Sequence, residues 1–262
     1  MFQTLYRSSG KKVCLKVTMR SDKPITLSVM AEEAKKPNSK YVSRLSKVHG
    51  ERVIYLSFPI SPEVLYIRIQ NKENPADKSF DIKIEEAPFK SYNVWISSET
   101  VRFLALANHF CKVAGYAPAT EAGALFQTDD AEFTIKYFNT IKVDGSPIST
   151  PARIGHRTGI IDAAKTKMET YTVPSRMIIL LHEYSHKYKN PTIGLDISNE
   201  KGADINALYI YLGLGFSSID AIQVFANVFL KAQTPSNIER MRSIMDYIQR
   251  FEAEEFTNSI TT

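Results

Sequence analysis

The chain has 262 residues, 44% of them hydrophobic and 11% aromatic, a composition that excludes a disordered polypeptide and allows one large or two ordinary globular domains. No run of about 18 apolar residues could span a membrane, and Met1–Val17 lacks the apolar core of a secretory signal, so a cytoplasmic location or carriage in a larger assembly is expected. The net charge of +5 is uneven: residues 1–88 hold 16 basic and 10 acidic side chains and the remainder 17 and 18, with no dense basic patch to suggest nucleic-acid binding.

Residues 11–88 read as β. Val13, Leu15 and Val17 alternate with polar neighbours, as do Ile25, Leu27 and Val29, and later Phe80, Ile82 and Ile84. Tyr41–Val48, Val53–Phe58 and Val64–Ile69 are further strand candidates. Turn chemistry at Ser21-Asp22-Lys23-Pro24, Lys36-Pro37-Asn38, His49-Gly50, Ser61-Pro62 and Asn74–Asp77 separates them. Short strands at this spacing predict an antiparallel β-sandwich over 1–88, suited to binding a protein partner. His49 reads as a turn residue. Cys14 and Cys111 lie far apart and read as two reduced, buried thiols.

Past Glu85-Glu86-Ala87-Pro88 the style changes, and 89–262 reads as a second, α+β domain. Ser97 can cap a helix running to about Ala114, with Gly115 suited to the left-handed position after it. His109 falls inside that helix and reads as a packing residue. Phe133–Phe138, Ile141–Val143, Ala152–Ile154 and Gly159–Asp162 predict a small sheet with a turn at Asp144-Gly145-Ser146-Pro147. From Pro174 the period becomes helical, and Met177–Leu181 is apolar on every side, so this helix is expected to be central and buried up to Asn190-Pro191. Three more helices are expected: Asn199–Leu212, capped by Ser198 or Asn199 and broken at Gly213 and Gly215; Ser218–Lys231; and Pro235–Phe251, followed by a frayed TNSITT tail.

The buried helix carries His182-Glu183-Tyr184-Ser185-His186, an H-E-x-x-H pattern. Two histidines four apart share a helix face and can hold one metal ion, with Glu183 beside the first as a general base. A catalytic zinc needs a third protein ligand and an open position. Glu200, on the next helix, is the candidate. Asp204, one turn on, can accept from the outer N–H of a ligating histidine and fix its orientation. Hydrolysis also needs a donor for the developing oxyanion, and His156, Arg153, Tyr209 and Tyr211 are the candidates.

An apolar helix ending in H-E-x-x-H, a loop, and then a helix with Glu200, Ala203, Asp204 and Ala207 resembles the gluzincin branch of the zincin metallopeptidases. The resemblance covers 170–215 well, 130–170 loosely and 1–88 not at all. It implies Zn2+ held by His182, His186 and Glu200, with Glu183 as general base in the hydrolysis of a peptide or protein substrate. The third histidine of the metzincins is absent from Lys187–Asn190. A second reading comes from another class: a structural or assembly protein that keeps such a site without general protease activity. The chain's size and lack of a leader are similar to virion-associated proteins of tailed bacteriophages.

Overall fold

A computed structural model describes residues 1–36, 38–90, 92, 94–188 and 200–259. Among the described residues two larger sheets, a two-stranded ribbon and six α-helices form an α+β architecture. The first sheet is antiparallel, with five strands: β1 (Phe2–Arg7), β2 (Val13–Glu33), β3 (Lys40–Phe58), β4 (Val64–Asn71) and β5 (Asp81–Ala87). Its order is β1-β4-β2-β3, and β5 pairs with the first part of β2 while β4 takes the second.

This differs from the expected sandwich of short strands: residues 1–88 build a single hydrogen-bonded sheet around one long hairpin. Ser21-Asp22-Lys23-Pro24 is not a turn. The ladder shifts register between Ser21 and Ile25, a bulge that absorbs the extra residues and lets one strand continue. Likewise His49 lies within β3, where Gly50 adopts φ +72°. Alternation holds along β2, so Leu15, Val17, Met19, Leu27, Val29 and Ala31 all bury one face. β1 lacks a strong apolar alternation and was not expected from the sequence.

The second sheet is mixed, in the order β10-β11-β7-β6: β6 (Ala124–Gln127), β7 (Thr134–Phe138), β10 (Ala152–Ile154) and β11 (Ile161–Ala164). β7 and β11 run parallel and the other pairs antiparallel. The Asp144-Gly145 turn, both residues at positive φ, joins a separate small ribbon, β8 (Lys142–Val143) and β9 (Ser146–Pro147).

Helix α1 (Ser98–Val113) is capped by the Ser97 hydroxyl, which accepts from the Thr100 N–H. Gly115 is not left-handed as expected; it is required for a different reason. A Cβ there would collide with the Asn38 carbonyl and the Arg176 guanidinium. After the short α2 (Lys165–Met168), Thr172 caps α3 (Val173–Ser185) with Pro174 in its first turn. Helices α4 (Glu200–Gly213), α5 (Ser218–Val224) and α6 (Pro235–Ser259) follow, with a π-helical turn, Phe225–Phe229, continuing α5. The expected cap at Ser198 or Asn199, and the stop at Asn190-Pro191, lie outside the described residues; α3 itself ends at Ser185. Thr257–Ser259 are helical rather than frayed. No helix among the described residues is long and apolar enough to cross a membrane. Cys14 and Cys111 are free, buried thiols.

Helix α3 occupies the centre because its middle is apolar on every side: Met177 through Leu181 have no exposed surface. One continuous apolar cluster includes residues of both sheets and the helices. Arg176, also fully buried, donates to the carbonyls of Met168 (2.7 Å), Cys111 (2.8 Å) and Asn38 (3.1 Å), tying the start of α3 to the first sheet. A second tie is the buried pair Arg44–Asp220, with Nη2 2.6 Å from Oδ2 and Nε 3.3 Å from Oδ1. Removing one partner strands a buried charge, so Arg44→Ala is expected to cost about 3–5 kcal/mol in urea unfolding. Arg44→Met combined with Asp220→Leu is expected to cost much less, and equal losses would contradict the pairing.

Candidate metal centre

Three donors converge where the end of α3 meets the start of α4. Nε2 of His182 lies 3.2 Å from Nε2 of His186. Glu200 Oε2 is 3.4 Å from His182 Nε2, and Glu200 Oε1 is 3.6 Å from His186 Nε2. Among the described residues no other group of this kind forms. Two imidazoles and a carboxylate with bonds of about 2.0–2.1 Å to a tetrahedral ion would stand about 3.3–3.4 Å apart. The three separations, 3.2, 3.4 and 3.6 Å, the last two to different Glu200 oxygens, lie close to that spacing, so the residues fit one cation.

Local sequence explains the placement. The helical period stacks His182 over His186, which caps the helix C-terminus. His182 is 2% exposed, whereas the Glu200 side chain is 57% exposed, so the group opens to solvent on the Glu200 side. Asp204, one turn into α4 and buried, places Oδ1 3.0 Å from His182 Nδ1. That contact is close but poorly aligned as a hydrogen bond, so its weight is that of a charge beside the imidazole.

Arg240 of α6 was not anticipated. It donates to both Asp204 oxygens at 2.7 and 2.9 Å and reaches Glu200 Oε2 at 3.1 Å, joining α6 to α4 behind the donors. The ring of Phe229 lies 4.3 Å from that of His182, giving its other side an apolar wall. Glu183, next to His182 in the chain, is not one of the three donors; its Oε2 accepts from the Ile154 N–H at 2.9 Å, on edge strand β10.

The oxyanion candidates separate. His156 sits in the exposed turn between β10 and β11, its ring centroid 6.0 Å from that of His186. Arg153 instead pairs with Asp162 at 3.0 Å. The Tyr209 hydroxyl accepts from the Trp95 N–H, and Tyr211 is fully buried, stacked on Phe216. Of the four, only His156 is placed beside a donor histidine.

Electrostatics follow from burial and neighbours. Burial lowers the His182 pKa, but the carboxylates of Asp204 and Glu200 beside the ring outweigh it and hold it at about 9. Burial raises Glu183 to about 7 despite the His182 charge and the Ile154 N–H. Hydrogen bonding to His182, against some desolvation, lowers Glu200 to about 2. In chelator-treated protein the His182 contribution to stability is complete below its free value of 6.5 and lost as pH rises through 9. Glu183 acts in the same sense, losing its contribution between 4.5 and 7. Glu200 contributes fully above 4.5 and is constant across that window. Burial and the His182 charge lower His186, whose contribution is gained rather than lost as pH rises to 6.5, so chelator-treated protein should melt at progressively lower temperature between about pH 6.5 and 9, as calorimetry can check. A melting temperature that rises over this window would contradict the assignment.

No protein-family model, curated protein or solved structure matches this chain. The functional reading therefore rests on the residues themselves.

Proposed function

We propose that this protein hydrolyses peptide bonds at a zinc centre held by His182, His186 and Glu200, in a domain of the gluzincin kind. The observation that carries the reading is the donor triangle of 3.2, 3.4 and 3.6 Å beside a buried carboxylate, Glu183, that is not one of the donors. A cation with a purely structural role needs no such neighbour. Zinc, when bound in such a site, makes water a nucleophile at neutral pH and polarises a carbonyl.

The chain's own groups supply the rest. Glu183 takes a proton from the attacking water and delivers it to the leaving amine. Its raised pKa, about 7, suits a group that must both accept and release a proton. The Ile154 N–H pins one of its oxygens and leaves the other to carry the proton. Asp204 and Arg240 hold His182 and Glu200 in place, so that little reorganisation is needed. His156 is the residue placed to donate to the oxyanion. β10, an edge strand whose Ile154 already touches Glu183, offers backbone beside the site along which a substrate could lie.

The test is to measure metal content and cleavage of a quenched-fluorescent peptide library together. One equivalent of zinc, activity abolished by chelation and activity restored by zinc are expected. Folded protein that takes up no zinc, or activity indifferent to chelation, would rule the reading out.

A further inference from the structure

The metal centre leaves β3 unused. This strand is the edge of the first sheet: it pairs with β2 along its length, and among the described residues no backbone group meets its other side. A groove of about 790 Å3 lies against it. Arg44, Ser46 and Ile54 line the groove from one face of the strand, and Leu45, Val53 and Tyr55 from the other. Successive strand residues point to opposite faces, so a groove touching both reaches the edge; with Cys14 of β2 and Ala87 of β5 also lining it, and the Ser57 hydroxyl donating to the Gly215 carbonyl, it continues from that edge over one face of the sheet. Phe216, Ile219 and Phe251 form the facing wall. Leu45, Tyr55 and Ile219 are 59%, 57% and 52% exposed, an apolar surface open to water beside unpaired backbone.

Charge selects the occupant. β3 carries Lys40, Arg44, Lys47 and Arg52 against Glu51 alone. Arg44 is held by Asp220, but Lys47 and Arg52 are exposed and have no carboxylate partner among the described residues. We propose that the β3 edge docks an extended segment of a partner protein rich in acidic and apolar side chains. The segment adds as a sixth strand: its backbone completes the β3 ladder, its apolar side chains enter the groove, and its carboxylates meet Lys47 and Arg52. The same cations disfavour a second copy of this chain, because pairing two β3 edges would set like charges opposite each other.

The proposal is independent of the metal centre and can be tested without activity. The full chain and its Arg52→Glu and Tyr55→Ser variants are panned against a displayed library of random peptides of about twelve residues, long enough to add one strand. Both substitutions fall on exposed side chains, and circular dichroism checks that the variants remain folded. The expected result is enrichment of acidic peptides with apolar side chains by the parent chain. Affinity for a selected peptide should fall about tenfold or more in each variant. Amide exchange should slow in β3 when that peptide is bound. No enrichment, enrichment of basic or wholly polar peptides, or undiminished binding by both variants would overturn the proposal. So would concentration-dependent self-association lost in Tyr55→Ser, which would assign the edge to a second copy.

Discussion

Glu183→Gln is expected to bind zinc as well as the parent and to cleave peptides roughly 10²–10⁴-fold more slowly. Glutamine keeps the size of the side chain and can still accept from the Ile154 N–H, so the geometry of the site survives. What it loses is the ability to carry a proton between water and amine. The loss should therefore fall on kcat, with KM little changed. Because a buried carboxylate has been removed, chelator-treated Glu183→Gln should also melt no lower than the parent at pH 8. Undiminished cleavage would mean that the activity belongs elsewhere.

His186→Ala has the second-largest expected effect, on the metal rather than the chemistry. With one of three donors gone, stoichiometric zinc should be lost, the affinity falling by more than about 100-fold in competition with a chromophoric chelator. Arg240→Gln provides the graded comparison. It leaves all three donors in place but frees Asp204 and Glu200 from their common partner, so a loss of about 10–100-fold is expected. An Arg240 variant as damaged as His186→Ala would show that α6 does more than orient. One with parental affinity would show that the guanidinium is merely a surface contact.

The donors were legible because their spacing is local. His182 and His186 meet through the helical period, and Glu200 with Asp204 through the period of the next helix. The geometry then brings these two short patterns together. Arg240 was not legible: it lies 36 residues beyond Asp204, and a charged residue on an amphipathic helix reads as part of a solvated face. The Ile154 contact was hidden for another reason, since it is made by a backbone N–H that every non-proline residue carries.

The fold shows the same division. The buried character of α3 and the cap at Ser97 follow from residues adjacent in the chain. β2 misled because Pro24 and its polar neighbours have turn chemistry, while the pairing of both strand halves with β3 favours continuing through a bulge. Gly115 was assigned a left-handed role from its position after a helix, yet the constraint comes from the Asn38 carbonyl, far away in sequence. Tyr209 and Tyr211 were reasonable oxyanion candidates only while the direction of each side chain was unknown. Tertiary packing turned both away from the donors, Tyr211 onto Phe216 and Tyr209 toward Trp95.

The proposed function requires one zinc ion held by residues of α3 and α4 together. Anomalous diffraction at the zinc edge from crystals of the full chain can locate it. A single peak within about 2.0–2.2 Å of Nε2 of His182, Nε2 of His186 and an oxygen of Glu200 is the predicted result. A peak that excludes Glu200, or no peak at this position from zinc-supplemented crystals, would contradict the account.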